Sequence, residues 1–249
     1  MSSNSLWRSI SVIFLMATLL FATSWTGYAD QGVPVFMYHS IINKNTDPYC
    51  LSPQVFEEQM KLLSDEGYKT LTASELLDYW MQKRSTPEKS VLLTFDDGYK
   101  DNFTNAFPTL KKYRLKATIF LATGLIGKPN YLTWQEIKEM HRSGLIDFQS
   151  HTVHHPNLLK LTAQKQMAEF ELSKRMIESQ LNNHVRVFAY PFGYHNRFIM
   201  NELKKCGYQM AFDSDKGASR ISQGLFNLDR LEVTANSSFS ELLTGKYKN

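Results

Sequence analysis

From residue 33 onward, short uninterrupted apolar runs alternate with longer stretches in which apolar residues recur every three or four positions. The runs Val33–Tyr38, Ser90–Phe95, Ala117–Ala122, Ile146–Gln149, Val185–Tyr190, Met210–Phe212 and Leu231–Val233 are too short for helices and read as buried strands. Helical periodicity marks Pro53–Glu66, where Val55, Phe56, Met60, Leu62 and Leu63 can share one face and Gly67 ends the pattern. It also marks Ser74–Trp80, Asn102–Lys112, Thr162–Leu181, Asn196–Cys206, and Thr133–Ser143, which opens on a Thr-x-x-Glu capping box. Strand and helix in regular alternation predict βαβ units and a parallel sheet, hence an α/β fold in a single domain. Polar clusters follow the strands at their C-terminal ends, the edge where a parallel barrel assembles its active site.

The first thirty residues stand apart from this pattern. Arg8 is the only charge before an apolar run from Ile10 to Ala22, and Gly27-Tyr28-Ala29 offers small residues for a signal peptidase. Residues 1–29 are therefore expected to be a signal peptide or, if uncleaved, an N-terminal membrane anchor, with residues 30–249 forming one exported catalytic domain in the periplasm, at the cell surface or beyond it. At 249 residues and 43% hydrophobic content the chain can bury one substantial core. The net charge of +4 comes from 28 basic against 24 acidic residues scattered without a block of like sign, too mild a balance to argue for nucleic acid. Cys50 and Cys206 are the only cysteines; export would let them pair, and two buried thiols are the equal alternative.

Three of the polar clusters carry candidate chemistry. Asp96 and Asp97 follow a strand directly, and adjacent side chains in extended backbone point to opposite sides, so one carboxylate can hold a metal while its neighbour faces substrate. Asp-Asp-Gly is also a common turn signal. In His151-Thr152-Val153-His154-His155 the outer histidines are four apart and can converge if the segment curls; His154 reads as a surface or supporting residue. Two imidazoles and one carboxylate make the three protein ligands of a catalytic zinc site, with a position left for water.

With both clusters in view, the chain resembles the polysaccharide deacetylases with the NodB homology domain, carbohydrate esterase family 4, from Val33 to Val233. Thr94-Phe95-Asp96-Asp97-Gly98-Tyr99 is similar to the family's first motif and Ser150-His151-Thr152 with His155 to its second. The resemblance implies a distorted (β/α) barrel of about seven parallel strands, Asp96 as general base, and Asp97, His151 and His155 as ligands of a divalent metal. Zinc fits that ligand set, as do cobalt, nickel and iron. Pro191-Phe192-Gly193 matches the third motif, which implies an oxyanion-binding N–H at Phe192, but the arginine that usually precedes it is replaced by Ala189. Arg230 is the candidate substitute, with a surface ion pair as its other reading.

No histidine follows His195, so the C-terminal motif that carries the family's general acid is absent. Met37-Tyr38-His39-Ser40 resembles instead the opening element of the circularly permuted deacetylases of poly-β-1,6-N-acetylglucosamine, which implies His39 as the acid. First and last strands are neighbours in a closed barrel, which makes the exchange physically sensible. Asp213 or Asp215 resembles a reduced fourth motif that would support that histidine. Tyr99, Trp134 and Tyr194 are candidate platforms for sugar faces. The expected reaction is metal-dependent removal of acetyl groups from the N-acetylglucosamine units of an envelope or extracellular polysaccharide, poly-β-1,6-N-acetylglucosamine first. Peptidoglycan and chitin oligomers are alternative polymers, and a non-catalytic carbohydrate-binding relative is the alternative class.

Overall fold

A computed structural model describes residues 32–43 and 47–245; the expected leader, residues 1–29, lies outside the described residues. β1 (Val35–Tyr38) leads through a small parallel pair, β2 (Ser40–Ile41) and β3 (Cys50–Leu51), into α1 (Pro53–Asp65), β4 (Lys69–Leu71) and α2 (Ala73–Met81). The series continues with β5 (Ser90–Phe95), α3 (Phe107–Tyr113), β6 (Ala117–Leu121), α4 (Trp134–Arg142), β7 (Ile146–Ser150), α5 (Ala163–Leu181) and β8 (Val187–Ala189). It closes with α6 (Arg197–Lys205), β9 (Met210–Lys216), β10 (Leu228–Glu232) and α7 (Phe239–Leu243).

All main-sheet pairings are parallel in the order β1-β10-β9-β8-β7-β6-β5, and β1 also pairs with β5, so seven strands close into a barrel. Leu92 pairs with Val35 of β1 and with Leu71 of β4, which places β4 on the opposite edge of β5, beside its N-terminal half. Period-two alternation sorts side chains into two buried layers. Val35, Leu92, Phe120, Val187, Met210, Phe212 and Leu228 fill the interior, while Phe36, Val91, Leu93, Phe95, Ile119 and Phe188 meet the surrounding helices. The interior layer includes Ala73, Leu76, Leu77 and Trp80, spaced along one face of α2, so this helix plugs the barrel's N-terminal end. That leaves the C-terminal mouth open.

Several elements depart from the expected ones. The helix expected over Asn102–Lys112 begins as a π-helical turn, Asn102–Ala106, before α3. Pro108 explains this, since it has no N–H for a carbonyl four residues back and its ring crowds that carbonyl. β10 starts three residues earlier than the apolar run, because its second inward position is a charged residue, Arg230, which interrupts the apolar pattern after Leu228. The capping box of α4 forms, with Thr133 and Glu136 exchanging hydrogen bonds. No disulfide joins the two cysteines: Cys50 sits on β3 beside β2, and Cys206 caps α6, which packs on α5. No described helix is long and apolar enough to cross a membrane.

Candidate active site

The interior parity of each strand decides which polar side chains reach the open mouth. Asp96 continues the inward series Leu92 and Thr94, His151 the series Asp147 and Gln149, and Arg230 follows Leu228. Their convergence is a consequence of register. Asp96 and Arg230 are 2% and 1% exposed, and they meet in a two-point pair, Nη1 to Oδ1 and Nη2 to Oδ2, each 2.8 Å. Arg230 is itself held by Nε donating to the Asp213 carbonyl at 2.7 Å. Burial pushes Asp96 up, but the charge and hydrogen bonds of Arg230 outweigh burial and hold the carboxyl well below its usual range. A buried bidentate pair thus replaces the surface ion pair that was Arg230's alternative reading.

Asp97 turns the other way at a left-handed backbone angle, φ 71°, and Gly98 follows at φ 80° where a Cβ would stand 2.8 Å from Leu121. The strain sets the Asp97 carboxylate against two imidazoles: Oδ1 is 3.6 Å from His151 Nε2 and 3.4 Å from His155 Nε2. One ligand atom from each of these residues lies within 4.8 Å of the others. Oδ1 is buried and has no hydrogen-bond partner among the described residues, an arrangement that costs free energy unless something else satisfies the oxygen. His151 Nδ1 lies 2.7 Å from the Ala189 carbonyl, so the proton belongs on Nδ1 and the lone pair on Nε2 faces Asp97. Burial pushes its imidazolium down to about 4, against the neighbouring carboxylates, which keeps the ring neutral. These donors fit a divalent cation: two imidazole nitrogens and an oxygen left without a partner.

The histidine loop is pinned from α5. Glu169, nearly buried, accepts from Val153 N at 2.8 Å, from His154 N at 2.9 Å, and lies 2.7 Å from His154 Nδ1. Thr152 and His155 both have positive φ, and Thr152 Oγ1 accepts from His155 N at 2.9 Å. His154 is thereby a brace on the loop, with its ring mostly in solvent.

Around this centre lies a cleft of about 520 Å³. Phe192, at φ 61°, lays its half-exposed ring edge-on to His155 at 4.6 Å, and Tyr194 stands beside it. Gly193 is required here, because at φ 70° an added Cβ would fall 2.1 Å from Ser214 Oγ. Tyr99 stacks on Tyr131 across the mouth, centroids 5.2 Å apart. His39 lines the cleft from the end of β1, its ring 5.1 Å from that of Tyr49. The segment bearing His39 is clamped by the π-helical turn: Asn102 Nδ2 donates to the His39 carbonyl, while Asp101 accepts from Ser40 Oγ and Ile41 N.

Three sequence expectations change. Trp134 begins α4 half-buried against the core and does not line the cleft, since the capping box turns its helix onto the sheet. Asp213 and Asp215 make no described contact with His39, because β10 lies between β9 and β1. Asp213 instead accepts from Asp215 N at 2.9 Å and offers its carbonyl to Arg230, and Asp215 is exposed. The residues that sequence reasoning passed over are Asp101, Asn102, Glu169, Tyr49 and Glu232. The last lines the cleft one inward position beyond Arg230. For Asp101 and Asn102 a signal existed, polar residues opening a helix directly after the Asp-Asp-Gly loop; for Glu169 none did.

The profile of the family described as polysaccharide deacetylase matches residues 83–211, and the chain belongs to that family. It is a hydrolase of polysaccharide acetyl groups. Among curated proteins it is 39% identical over 208 residues to YxkH of Bacillus subtilis, described as a polysaccharide deacetylase, covering 84% of this chain and 74% of that one. It is 30% identical over 221 residues to the poly-β-1,6-N-acetyl-D-glucosamine N-deacetylase of Staphylococcus aureus, covering 84% and 76%. Among solved structures, Streptococcus pyogenes deacetylase PplD in complex with acetate superposes with a TM-score of 0.83 at 31% identity, covering 88% of this chain and all of the other.

Proposed function

We propose that the chain is an exported, metal-dependent N-deacetylase acting on N-acetylglucosamine units of an envelope or extracellular polysaccharide, with poly-β-1,6-N-acetylglucosamine as its first-ranked substrate. The observation that carries the reading is the orphaned, buried Asp97 Oδ1 set 3.6 and 3.4 Å from two imidazole nitrogens, next to an ionised carboxylate clamped by Arg230. The S. aureus relative's name supports the polymer. The apolar run Ile10–Ala22 supports export.

Asp97, His151 and His155 would hold the cation, which would supply a lowered pKa for water and polarisation of the acetyl carbonyl. Asp96 accepts a proton from the water that attacks the carbonyl carbon; Arg230 keeps both its oxygens in place and its charge intact. The neighbouring amides Gly193 N and Tyr194 N are spent on Tyr190 and Pro191 carbonyls, and the Phe192 N–H serves the developing oxyanion. His39 gives a proton to the departing amine as the C–N bond breaks, releasing acetate and a glucosamine unit. Tyr99 and Tyr194 supply apolar ring faces at the rim.

The test is acetate release from poly-β-1,6-N-acetylglucosamine, peptidoglycan and chitopentaose, before and after chelation and with Zn2+ restored. Chelator-sensitive release, greatest on the β-1,6 polymer and lost in Asp97→Ala and Asp96→Asn, is the expected result. Release that ignores chelation removes the metal, a different polymer order removes the substrate ranking, and no release from any polymer leaves a carbohydrate-binding relative.

A further inference from the structure

Phe192 offers its amide to the oxyanion from an unfavourable place in backbone space. Its φ is 61° and that of Gly193 is 70°, two left-handed residues in succession, of which only the glycine adopts the region freely. A phenylalanine stays there only where its surroundings over-determine it. Part of the constraint comes from the barrel: Gly193 N donates to the Tyr190 carbonyl at 2.9 Å, and Ser214 of β9 stands where a Gly193 Cβ would be.

The rest comes from His195, which no step of the reaction uses. Its Nδ1 lies 2.9 Å from the Gly193 carbonyl, and its Nε2 lies 2.7 Å from the side-chain amide of Asn227, on the lead into β10. The imidazole lies flat on the Tyr190 ring, centroids 4.5 Å apart and planes 11° from parallel, while the Tyr190 hydroxyl donates to the Phe226 carbonyl at 3.2 Å. Turn and β10 lead-in are thus joined at two neighbouring points, with the imidazole as one bridge. His195 is itself held from the chain side, because the next residue, Asn196, caps α6 by accepting from Ile199 N at 2.9 Å. A carbonyl can only accept, so the proton belongs on Nδ1. Asn227 can turn either its oxygen or its nitrogen to Nε2, so the bridge survives both charge states of the ring.

We infer that His195 is a positioning residue for the reaction: by donating to the Gly193 carbonyl and bracing that bond on Asn227, it locks the left-handed Phe192–Gly193 turn and keeps the Phe192 N–H aimed at the oxyanion. The inference rests on the deacetylase reading for the use of that N–H. A donor held in place before charge develops needs no reorganisation at the moment of reaction, so the bridge acts on the transition state and not on substrate binding.

The test takes the two ends of the bridge apart in the Zn2+-loaded protein, on the polymer the parent deacetylates best. In His195→Asn the amide nitrogen replaces Nδ1 and can still donate to Gly193; in His195→Gln it replaces Nε2 and reaches Asn227 alone. His195→Gln and His195→Ala are expected to lose about tenfold or more in kcat with KM unchanged, and His195→Asn to stay within about threefold of the parent. Melting temperatures confirm that each variant is folded. Parent-like kcat in His195→Gln and His195→Ala overturns the inference, as does an equal loss in the Asn and Gln variants or a loss confined to KM. Should the parent release no acetate, the reaction reading fails, and the Phe192 amide in isotope-labelled protein decides the positioning by its NMR order parameter. Loosening in the Gln and Ala variants but not in His195→Asn supports it; an amide equally rigid in all four proteins overturns it.

Discussion

Arg230 and Asp96 stand on strands that do not pair with one another, β10 and β5, with β1 between them, yet they meet through two parallel hydrogen bonds of 2.8 Å in the barrel mouth. The guanidinium comes from a strand far along the chain, 134 residues from its partner. Two fixed oxygens and a fixed charge are what a carboxylate needs to act on water in one orientation.

Replacing Arg230 by Met leaves the Asp96 charge buried without its partner, which costs about 3–5 kcal/mol. Burial, the largest influence on Asp96, then loses its main opponent and raises the pKa, so the folded variant holds a proton that the unfolded chain releases, and its stability falls as pH rises above the usual carboxylate range. Urea unfolding at pH 5 and pH 8 should show a larger deficit at pH 8. Arg230→Lys should recover part of the stability and less of the activity, because one ammonium cannot engage both oxygens.

Asp213, whose carboxyl is raised, has the opposite sign to Asp96 in the parent, whose carboxyl is lowered. Burial pushes its carboxyl up to about 6, with the Asp215 amide hydrogen bond acting against it, and Oδ2 has no partner among the described residues. Between its unfolded value near 4 and about 6 the folded state binds more protons, so Asp213 lowers stability as pH rises through that window. Asp213→Asn removes the titration, and relative to the parent it should gain up to about 3 kcal/mol at pH 8 and little at pH 4, read by denaturant unfolding. A gain independent of pH would contradict the assignment.

Cation binding to the folded state alone should raise the melting temperature. With Zn2+ at a hundred times Kd the stabilisation is about 2.7 kcal/mol, and a thermal shift assay should show it in the parent and not in Asp97→Ala. Chelation of the loaded protein should reverse the shift and the acetate release together.

Glu169 braces the histidine loop from outside the cleft. Glu169→Ala leaves the Val153 and His154 amides without their acceptor, and Zn2+ affinity measured by chelator competition should weaken about 10–100-fold. Glu169→Gln, which keeps one acceptor, should lie between.

Gly193→Ala should be among the most damaging single changes at the rim. It combines a positive φ with a Cβ 2.1 Å from Ser214 Oγ. A loss of at least about 1–2 kcal/mol in stability is expected, with acetate release falling further because Phe192 is displaced. Adding Ser214→Gly should relieve the clash and leave the cost of φ, so the double variant recovers only in part.

The barrel was legible because its strands are buried on both sides and therefore read as apolar runs between amphipathic helices. Ser90–Phe95 matches β5 residue for residue. Reading failed where polar residues serve the interior. β10 was cut short because Arg230 breaks its apolar pattern, although that residue is among the most completely buried. β4 is three residues long, two of them Lys69 and Thr70, and gives no pattern at all. In the site, Asp96, Asp97, His151 and His155 were visible from motif spacing, and the structure brings them together. Glu169 was hidden because its partners are backbone amides, which carry no sequence signal. Trp134 was misplaced because an aromatic after a cap reads the same whether it faces a cleft or a core.

Barrel closure also imposes an order of events. During synthesis β5 is complete well before β10 leaves the ribosome, so Asp96 has no counter-charge until almost the whole domain exists. The carboxylate cannot be buried cheaply before then, and the mouth of the barrel stays wet in every shorter nascent chain. The enzyme's general-base candidate thus acquires its final environment only when the last strand docks, which ties the ability to do chemistry to the completion of the fold.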